Sequence, residues 1–197
     1  QRAGGVLNRQ GKHLTRLGDE LLDMSRISSG KINLQREVLD ISVVIHGALE
    51  LVEPMLQEKR HVLFTDLAAG SLCVNGDRHR LIQVIGNLLN NAAKYTPHGG
   101  TIHLAAKRID DAVDISVRDN GMGIPLTLLS RVFDIFTQSE RTLARSEGGL
   151  GVGLTVVHRL IEQHGGTVAV HSDGPGTGSE FRIRLPLVQV APEQLAT

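Results

Sequence analysis

The chain has 197 residues, enough for one ordinary domain with an appendage or for two small domains. Lys and Arg together number 21, as do Asp and Glu, and no stretch is basic enough to follow a phosphate backbone. With no Trp, one Tyr and four Phe, the chain also lacks aromatic platforms for stacking single-stranded bases. Nucleic acid is therefore not expected as a partner.

The cysteine content and the hydropathy exclude a disulfide framework, a multi-cysteine metal site and a membrane span within this segment. The single cysteine, Cys73, rules out an internal disulfide framework and a multi-cysteine metal site. Apolar stretches fall short of about 18 residues, and no leader of basic, apolar and small residues is present. We therefore expect a cytoplasmic module, with any membrane anchor of the full-length protein outside this segment.

Residues 5–28 predict one long helix. Its apolar positions follow the three-and-four spacing of a heptad seam, namely Leu7, Leu14, Leu17, Leu21 and Met24. The seam is short, so a surface helix packed on its own domain remains an alternative. The sequence Ser28-Ser29-Gly30 ends the helix.

The next part of the sequence predicts two helices, each with a clear N-terminal cap. After an extended link over 31–39, Asp40 is a good N-cap for a helix with one apolar face. Strand-like runs follow at 61–66 and 71–74. Asp77 then caps a helix over 78–95, which Thr96-Pro97 and two glycines terminate.

In the second half of the chain, the sequence predicts two hairpins with one helix between them. Residues 101–108 and 112–118 alternate polar and apolar side chains around Asp110-Asp111, as paired antiparallel strands should. Residues 133–149 are polar and lack a sustained period, which indicates a mobile segment of the kind that closes over ligands.

A helix over 153–163 and a hairpin of 167–171 with 180–185 complete the chain. Strands that lie mostly in hairpins, with helices between them, predict an α+β sandwich. In that fold one mixed sheet is covered by helices on one face.

The first polar cluster lies on the helix over 78–95. Asn87, Asn91 and Lys94 are four and three residues apart, so they share a helix face opposite the leucines. Amide oxygens can ligate Mg²⁺, and a lysine can hold phosphate. A solvated polar face is the alternative.

The second cluster, residues 119–125, directly follows a strand. Gly121 and Gly123 allow backbone to approach a flat ligand, and the Asp119 carboxylate can accept a hydrogen bond from an exocyclic amine such as adenine N6. An ordinary turn would explain the same residues.

The third cluster, residues 148–154, opens the helix over 153–163. Free N–H groups at a glycine-rich helix start form an anion site that suits a triphosphate. No Lys-Ser/Thr follows, so it is not a P-loop, and it follows a polar loop and not a strand, unlike a dinucleotide fingerprint.

Together these clusters resemble the boxes of sensor histidine kinases. Residues 87–97 (NLLNNAAKYTP), 119–125, Phe133-Asp134-Ile135-Phe136 and 149–154 are similar to the N, G1, F and G2 boxes. Gly176-Thr177-Gly178-Ser179 resembles the final glycine box. The helix over 5–28, with His13-Leu14-Thr15-Arg16-Leu17, resembles the second helix of the dimerisation and phosphoacceptor hairpin.

The resemblance implies roles for individual residues. Asn91 would ligate Mg²⁺, Asn87 and Lys94 would act catalytically at the phosphates, and Asp119 would bind adenine. Glycines at 149, 151 and 153 would bend the lid. The remaining ATP contacts implied are Tyr95, Gly121, Gly123, Ile124, Phe136, Arg141, Arg145, Gly149, Leu150, Gly151, Val152, Gly153, Leu154 and Thr177.

The wider superfamily includes DNA gyrase and heat-shock chaperone ATPases, which use a glutamate to activate water. Its position, four residues before the metal-binding asparagine, is Asn87 here. An amide is not a general base, so the resemblance implies phosphoryl transfer to histidine in two-component signalling and not hydrolysis.

No histidine has the acceptor context, in which an acidic residue and then a proline follow. We therefore expect a fragment: partial phosphoacceptor helix 1–30, catalytic domain 31–188 and tail 189–197. It would need a supplied phosphoacceptor hairpin, and its implied partners are ATP or ADP, a response regulator receiver domain and, in the full-length protein, a second subunit. The alternatives are a non-catalytic nucleotide-binding module and an anti-sigma-type serine kinase.

Overall fold

The computed structural model describes residues 33–135 and 151–188. The predicted helix over 5–28, most of the predicted mobile segment and the tail lie outside the described residues. The described elements, in chain order, are β1 (Glu37–Asp40), α1 (Ile41–Glu58), β2 (Val62–Leu67), β3 (Cys73–Gly76), α2 (Arg78–Tyr95), β4 (Thr101–Ile109), β5 (Ala112–Asp119), α3 (Leu126–Leu129), α4 (Gly153–Gln163), β6 (Thr167–His171) and β7 (Ser179–Pro186).

A five-stranded mixed sheet forms one layer, in the order β2-β4-β5-β7-β6. β2 runs parallel to β4, and the other neighbouring pairs are antiparallel. Alternate residues of the central strands point to one buried side; they include Ile102, Leu104, Val113, Ile115, Val117, Phe181 and Ile183. The predicted α+β sandwich is confirmed.

The apolar faces of α1, α2 and α4 supply the other half of the core. The buried side chains include Ile41, Val44, Ile45, Val52, Leu81, Val84, Ile85, Leu88, Leu89, Val156, Val157, Leu160 and Ile161. Each set follows the spacing of one helix face, which is why the sequence places these helices on the sheet. Among the described residues, no helix combines the length and hydropathy of a membrane span.

Both predicted helix caps are confirmed. The Asp40 carboxylate accepts the N–H of Ser42 at 2.8 Å, and that of Asp77 accepts the N–H of Arg80 at 3.1 Å. These bonds satisfy N–H groups that the first turn leaves without a partner, and they fix where α1 and α2 begin. α1 continues through Pro54 to Glu58.

The segment predicted as an extended link over 31–39 needs correction, since it contains strand β1. β1 pairs antiparallel with β3 in a separate two-stranded sheet, with Leu39 opposite Val74. Only four residues pair, and Leu39 is the buried one, so the alternation is too short to be read from sequence.

His164 connects the end of α4 with the start of α2. Its Nε2 accepts the N–H of Asp77 at 3.0 Å, so Nδ1 carries the proton and donates to the carbonyl of Leu160 at 2.7 Å. The Asp77 carboxylate also accepts the N–H of Gln35 at 2.9 Å. His164 thus packs at the C-cap of α4, which ends at Gln163 as predicted.

Candidate functional site

A cavity of about 120 Å³ opens between α2, the loop after β5 and the start of β7. Its polar lining comes from Asn91, Tyr95, Asp119 and Ser179. Its remaining walls are chiefly apolar and include Met122, Ile124, Pro125, Leu128, Val132, Leu154 and Phe181. An apolar slot with a few converging polar groups has the form of a small-molecule site.

α2 presents the first polar cluster on the face opposite its buried leucines. Asn91 and Tyr95 line the cavity, one turn apart. Asn87, one turn before Asn91, donates from Nδ2 to the carbonyl of Gly153 at 3.4 Å. Lys94 Nζ lies 4.8 Å from the centroid of the Tyr95 ring, within cation–π range. The helix therefore places Asn91 and Tyr95 in the lining of the cavity, while Asn87 contacts Gly153 and Lys94 contacts the Tyr95 ring.

Asp119 is the last residue of β5, and its side chain is fixed from two sides. Oδ1 accepts the N–H of Gly121 at 2.8 Å, and Oδ2 accepts the hydroxyl of Ser179 at 2.6 Å. Asp119 is 6% exposed, and the carboxylate faces an apolar cavity. A carboxylate held in one orientation in such a cavity is a specific acceptor for a ligand N–H.

The two glycines after Asp119 are required by close contacts. A Cβ at Gly121 would lie 2.5 Å from the carbonyl oxygen of Tyr95, and one at Gly123 would lie 2.0 Å from that of Gly174. Gly123 also has a φ of +66°, in the left-handed region. These residues therefore let the loop pack between α2 and the glycine-rich loop before β7.

Main-chain hydrogen bonds hold this loop in place. The N–H of Met122 donates to the carbonyl of Tyr95 at 3.0 Å, at the C-terminal end of α2. On the other side, Gly176 N–H donates to Met122 at 2.6 Å, and Gly178 N–H donates to Gly121 at 3.1 Å. The predicted G1 box and the final glycine box thus form one bonded unit.

The predicted site residues at the start of α4 differ in what they do in the structure. Gly151 has a φ of +72°, whereas Gly153 is the first helical residue, and a Cβ there would make only ordinary contacts. Val152 is buried in the core at 1% exposure, while Leu154 lines the cavity. Glycine is needed for backbone conformation at 151 and not at 153.

Other predicted residues are not brought to this cavity or lie outside the description. Thr177 is exposed, and its hydroxyl donates to the carbonyl of Gly174 at 2.8 Å. Its proposed contact with ATP stays a prediction. Five further predicted contacts lie outside the described residues: Phe136, Arg141, Arg145, Gly149 and Leu150.

Phe133, in the predicted F box, is anchored to α4. Its carbonyl accepts the hydroxyl of Thr155 at 2.8 Å, and its ring centroid lies 5.4 Å from that of His158 and 6.3 Å from that of Phe181. Phe133 is therefore held against α4, and Val152, which directly precedes α4, is buried in the core.

Sequence reasoning missed Ser179 and Phe181 as residues of the site. They lie at the start of β7, and the register places Ser179 directly opposite Asp119. Only the pairing of β5 with β7 brings that hydroxyl to the carboxylate. Ser179 was predicted to belong to the final glycine box, but spacing along the chain does not indicate that its hydroxyl binds the Asp119 carboxylate.

The residues present fit an adenine nucleotide. Apolar walls suit a flat base, and the fixed Asp119 carboxylate suits its exocyclic amine. The Thr96 hydroxyl, beside Gly121, is buried without a hydrogen-bond partner among the described residues, so a water or ligand atom there would satisfy it. The described residues hold no cluster of three or more His, Cys, Asp or Glu suited to a metal, so a cation here would rely on amide and ligand oxygens.

Comparison with known proteins agrees with this geometry. Residues 76–189, more than half of the chain, match the family model "Histidine kinase-, DNA gyrase B-, and HSP90-like ATPase". The autoinducer 2 sensor kinase/phosphatase LuxQ of Vibrio cholerae is 34% identical over 200 residues, covering 96% of the chain but 23% of LuxQ. The chain spans less than a third of the length of the curated relatives it matches.

Two solved structures extend the comparison. Full-length ShkA in complex with AMPPNP has a TM-score of 0.81 and 31% identity, and the match covers 97% of this chain and 40% of ShkA. Histidine kinase ThkA in complex with response regulator protein TrrA has a TM-score of 0.72 at 21% identity, over 98% of this chain and 52% of ThkA, and supports the fold alone.

The chain therefore belongs to the family of histidine kinase-, DNA gyrase B- and HSP90-like ATPases. Within that family, its homologues and structural neighbours identify it as the catalytic ATP-binding domain of a sensor histidine kinase, a component of two-component signalling.

Proposed function

We propose that the chain binds ATP with Mg²⁺ and transfers the γ-phosphoryl group to a histidine on a phosphoacceptor helix. The observation that carries this proposal is the Asp119 carboxylate, fixed by Gly121 and Ser179 in an apolar cavity. That carboxylate accepts the adenine N6 amine, and Ile124, Leu154 and Phe181 enclose the base.

The phosphates extend from the base along the polar face of α2. Asn91 supplies its amide oxygen to Mg²⁺, which neutralises phosphate charge when bound. Asn87 uses its amide nitrogen toward Gly153, so its oxygen is the atom that turns to the phosphates or their water. Lys94 supplies positive charge at the end of the helix. Arg141 and Arg145 are further candidates for phosphate contacts.

The reaction requires a nucleophile from outside the cavity. A neutral imidazole nitrogen of the acceptor histidine attacks the γ-phosphorus, the bond to the β–γ bridging oxygen breaks, and ADP leaves. Asn87 stands where a hydrolytic relative carries glutamate, so no side chain at this position removes a proton from water. Positioning and charge neutralisation then account for catalysis, which favours transfer over hydrolysis.

The partners follow from this activity. We propose that residues 1–30 belong to a phosphoacceptor hairpin, that 31–188 form the catalytic domain, and that 189–197 form a tail or linker. The hairpin of the same or a partner subunit supplies the histidine, a response regulator receiver domain accepts the phosphoryl group, and the full-length protein is a homodimer. In the neighbour ThkA, a protein of this fold has been solved in complex with a response regulator protein.

Calorimetric titration with ATP and ADP in the presence of Mg²⁺ tests the binding step. Asp119→Ala and Asn91→Ala should each weaken binding at least tenfold, and removing Mg²⁺ should weaken binding to the unmodified chain and not to Asn91→Ala. Asp66→Ala and Asn75→Ala are matched controls, since both side chains are exposed on other strands. No adenine nucleotide binding by the unmodified chain would overturn the proposal.

Transfer is tested separately with a supplied phosphoacceptor hairpin and ATP labelled at the γ-phosphate. Acid-labile, base-stable phosphate on histidine is the expected product. Binding without any transfer would point to a regulatory module, and acid-stable phosphate on serine would point to a serine kinase.

A further inference from the structure

Ser172 stands immediately after β6, outside the cavity, and is 4% exposed. Buried hydroxyl groups in folded proteins are nearly always hydrogen-bonded, because burying one without a partner is unfavourable. Its hydroxyl has two well-formed bonds. It accepts the N–H of Ile124 at 3.0 Å and donates to the carbonyl of Gly178 at 2.7 Å.

These two bonds join the two loops that form the adenine site. Ile124 lines the cavity in the loop after Asp119, and Gly178 immediately precedes Ser179, whose hydroxyl binds the Asp119 carboxylate. Neither loop can shift relative to the other without breaking a bond to Ser172. The side chain therefore acts as a bridge between the wall of the cavity and the donor that orients its carboxylate.

Backbone atoms of the two loops are in very close contact. A Cβ at Gly178 would lie 2.0 Å from the carbonyl oxygen of Asp119, and one at Gly123 would lie 2.0 Å from that of Gly174. Both glycines have positive φ. The backbones thus pack directly on each other, and the hydroxyl of Ser172 adds a side-chain link to the main-chain hydrogen bonds between the loops.

We propose that Ser172 is a positioning residue for the adenine site, acting through Ile124 and Ser179 and without touching the nucleotide. The inference rests on the proposed ATP-binding function. Removing its hydroxyl leaves the Ile124 N–H and the Gly178 carbonyl without this partner, so the loops can shift relative to each other and Ser179 holds Asp119 less firmly in one orientation.

Nucleotide selectivity distinguishes positioning from a structural role. Adenine presents an amine to Asp119, whereas guanine presents a carbonyl oxygen, so the orientation of the carboxylate determines the preference for ATP over GTP. For Ser172→Ala in the full chain, we expect the Kd for ATP to rise about tenfold. The preference for ATP over GTP should fall by a similar factor, while transfer at saturating ATP changes less than twofold.

Ser116→Ala is the matched control, because Ser116 lies in β5 on the outer side of the sheet, opposite Ala105 and Arg182. It should retain the affinity and selectivity of the unmodified chain. A folded Ser172→Ala variant with unchanged affinity and selectivity, even if less stable, would overturn the inference. If Ser172→Ala does not fold, Ser172→Thr decides: with its hydroxyl retained it should keep the ATP preference, and loss of that preference contradicts the proposal.

The two proposals fail in different ways. If the unmodified chain and Ser116→Ala bind no ATP, the proposed function itself is wrong. If both bind ATP and Asp119→Ala does not, while Ser172→Ala is indistinguishable from the unmodified chain, only the role of Ser172 is rejected.

Discussion

At the scale of single residues, the orientation of one carboxylate decides what the cavity can bind. Asp119 is held by a main-chain N–H on one oxygen and by a hydroxyl on the other. Each bond to a charged group contributes on the order of 1.5–3 kcal/mol, because the charge strengthens it. The carboxylate is thus oriented before any ligand arrives.

Ser179→Ala should weaken ATP binding about tenfold, because Asp119 loses the donor on Oδ2 and gains rotational freedom. Titration calorimetry with ATP measures the loss, and Ser116→Ala serves as the control. An affinity equal to that of the unmodified chain would mean that the Gly121 N–H alone orients Asp119.

Gly123→Ala should be more destabilising than Gly70→Ala, although both glycines have positive φ. An added Cβ has open space at Gly70 but meets the Gly174 carbonyl at Gly123. We expect Gly70→Ala to cost about 1 kcal/mol from backbone strain alone. Gly123→Ala should cost more and should also reduce ATP binding. Urea unfolding and ATP titration of both variants check this, and equal losses of stability would contradict the steric argument.

At the scale of elements, helices were easier to predict than strand partners. The α1 and α2 starts followed from Asp40 and Asp77, whose carboxylates bond the first turn. A cap and an apolar face are local features of sequence. In contrast, β1 pairs with β3, more than thirty residues away, and β2 runs parallel to β4. Such pairings depend on the packed sheet and have no local signal.

The junction between α2 and α4 makes stability depend on pH. Burial lowers the pKa of His164 below its ordinary value of 6.5, and the charge of Arg36 acts in the same direction. The Leu160 bond and the Asp77 carboxylate oppose this shift without cancelling it. The neutral ring accepts the Asp77 N–H, which the protonated ring cannot do. The folded protein therefore favours neutral His164.

The free energy of unfolding should consequently fall as pH drops below about 6.5, since the unfolded chain then binds a proton that the folded chain does not. Urea unfolding between pH 7.5 and 5 measures this slope. His164→Gln should be less stable at pH 7.5 but have a flatter profile, while His98→Gln, at an exposed position, should keep the original slope.

Asp77 does not interfere in that pH range. Burial raises the pKa of its carboxyl, but the N–H groups of Gln35, Arg80 and His79 and the charge of Arg80 outweigh burial and lower the pKa below 3.8. Its contribution to stability is therefore lost only in stronger acid. An unchanged slope in His164→Gln would assign the pH dependence to another group.

At the scale of the whole molecule, a bound nucleotide should stabilise the fold. A ligand at a hundred times its Kd adds about 2.7 kcal/mol, which for a domain of this size raises Tm by roughly 5 to 10 °C. Thermal unfolding with Mg²⁺ and ATP should show this rise in the unmodified chain and in Asp66→Ala, but not in Asp119→Ala. An equal rise in Asp119→Ala would locate ATP elsewhere.

The candidate site was predicted where its residues are close in sequence and missed where the sheet brings them together. Asn91 and Tyr95 share a helix face, and Asp119 lies beside its glycines, so their short motifs could be recognised by their resemblance to the histidine kinase boxes. Ser179 reaches Asp119 only through the pairing of β5 with β7. Val152 stands in a glycine-rich run, yet its side chain is buried in the core.

The two anchors on α4 have a consequence for chain length. The hydroxyl of Thr155 donates to the carbonyl of Phe133, and Val152, three residues before Thr155, is buried in the core, so both anchors lie within one turn of the same helix. When the ends of a loop are fixed side by side, doubling its length costs only about 0.6 kcal/mol in closure entropy. A change in the length of chain between Phe133 and Val152 should therefore cost little closure entropy, provided that both anchors are kept.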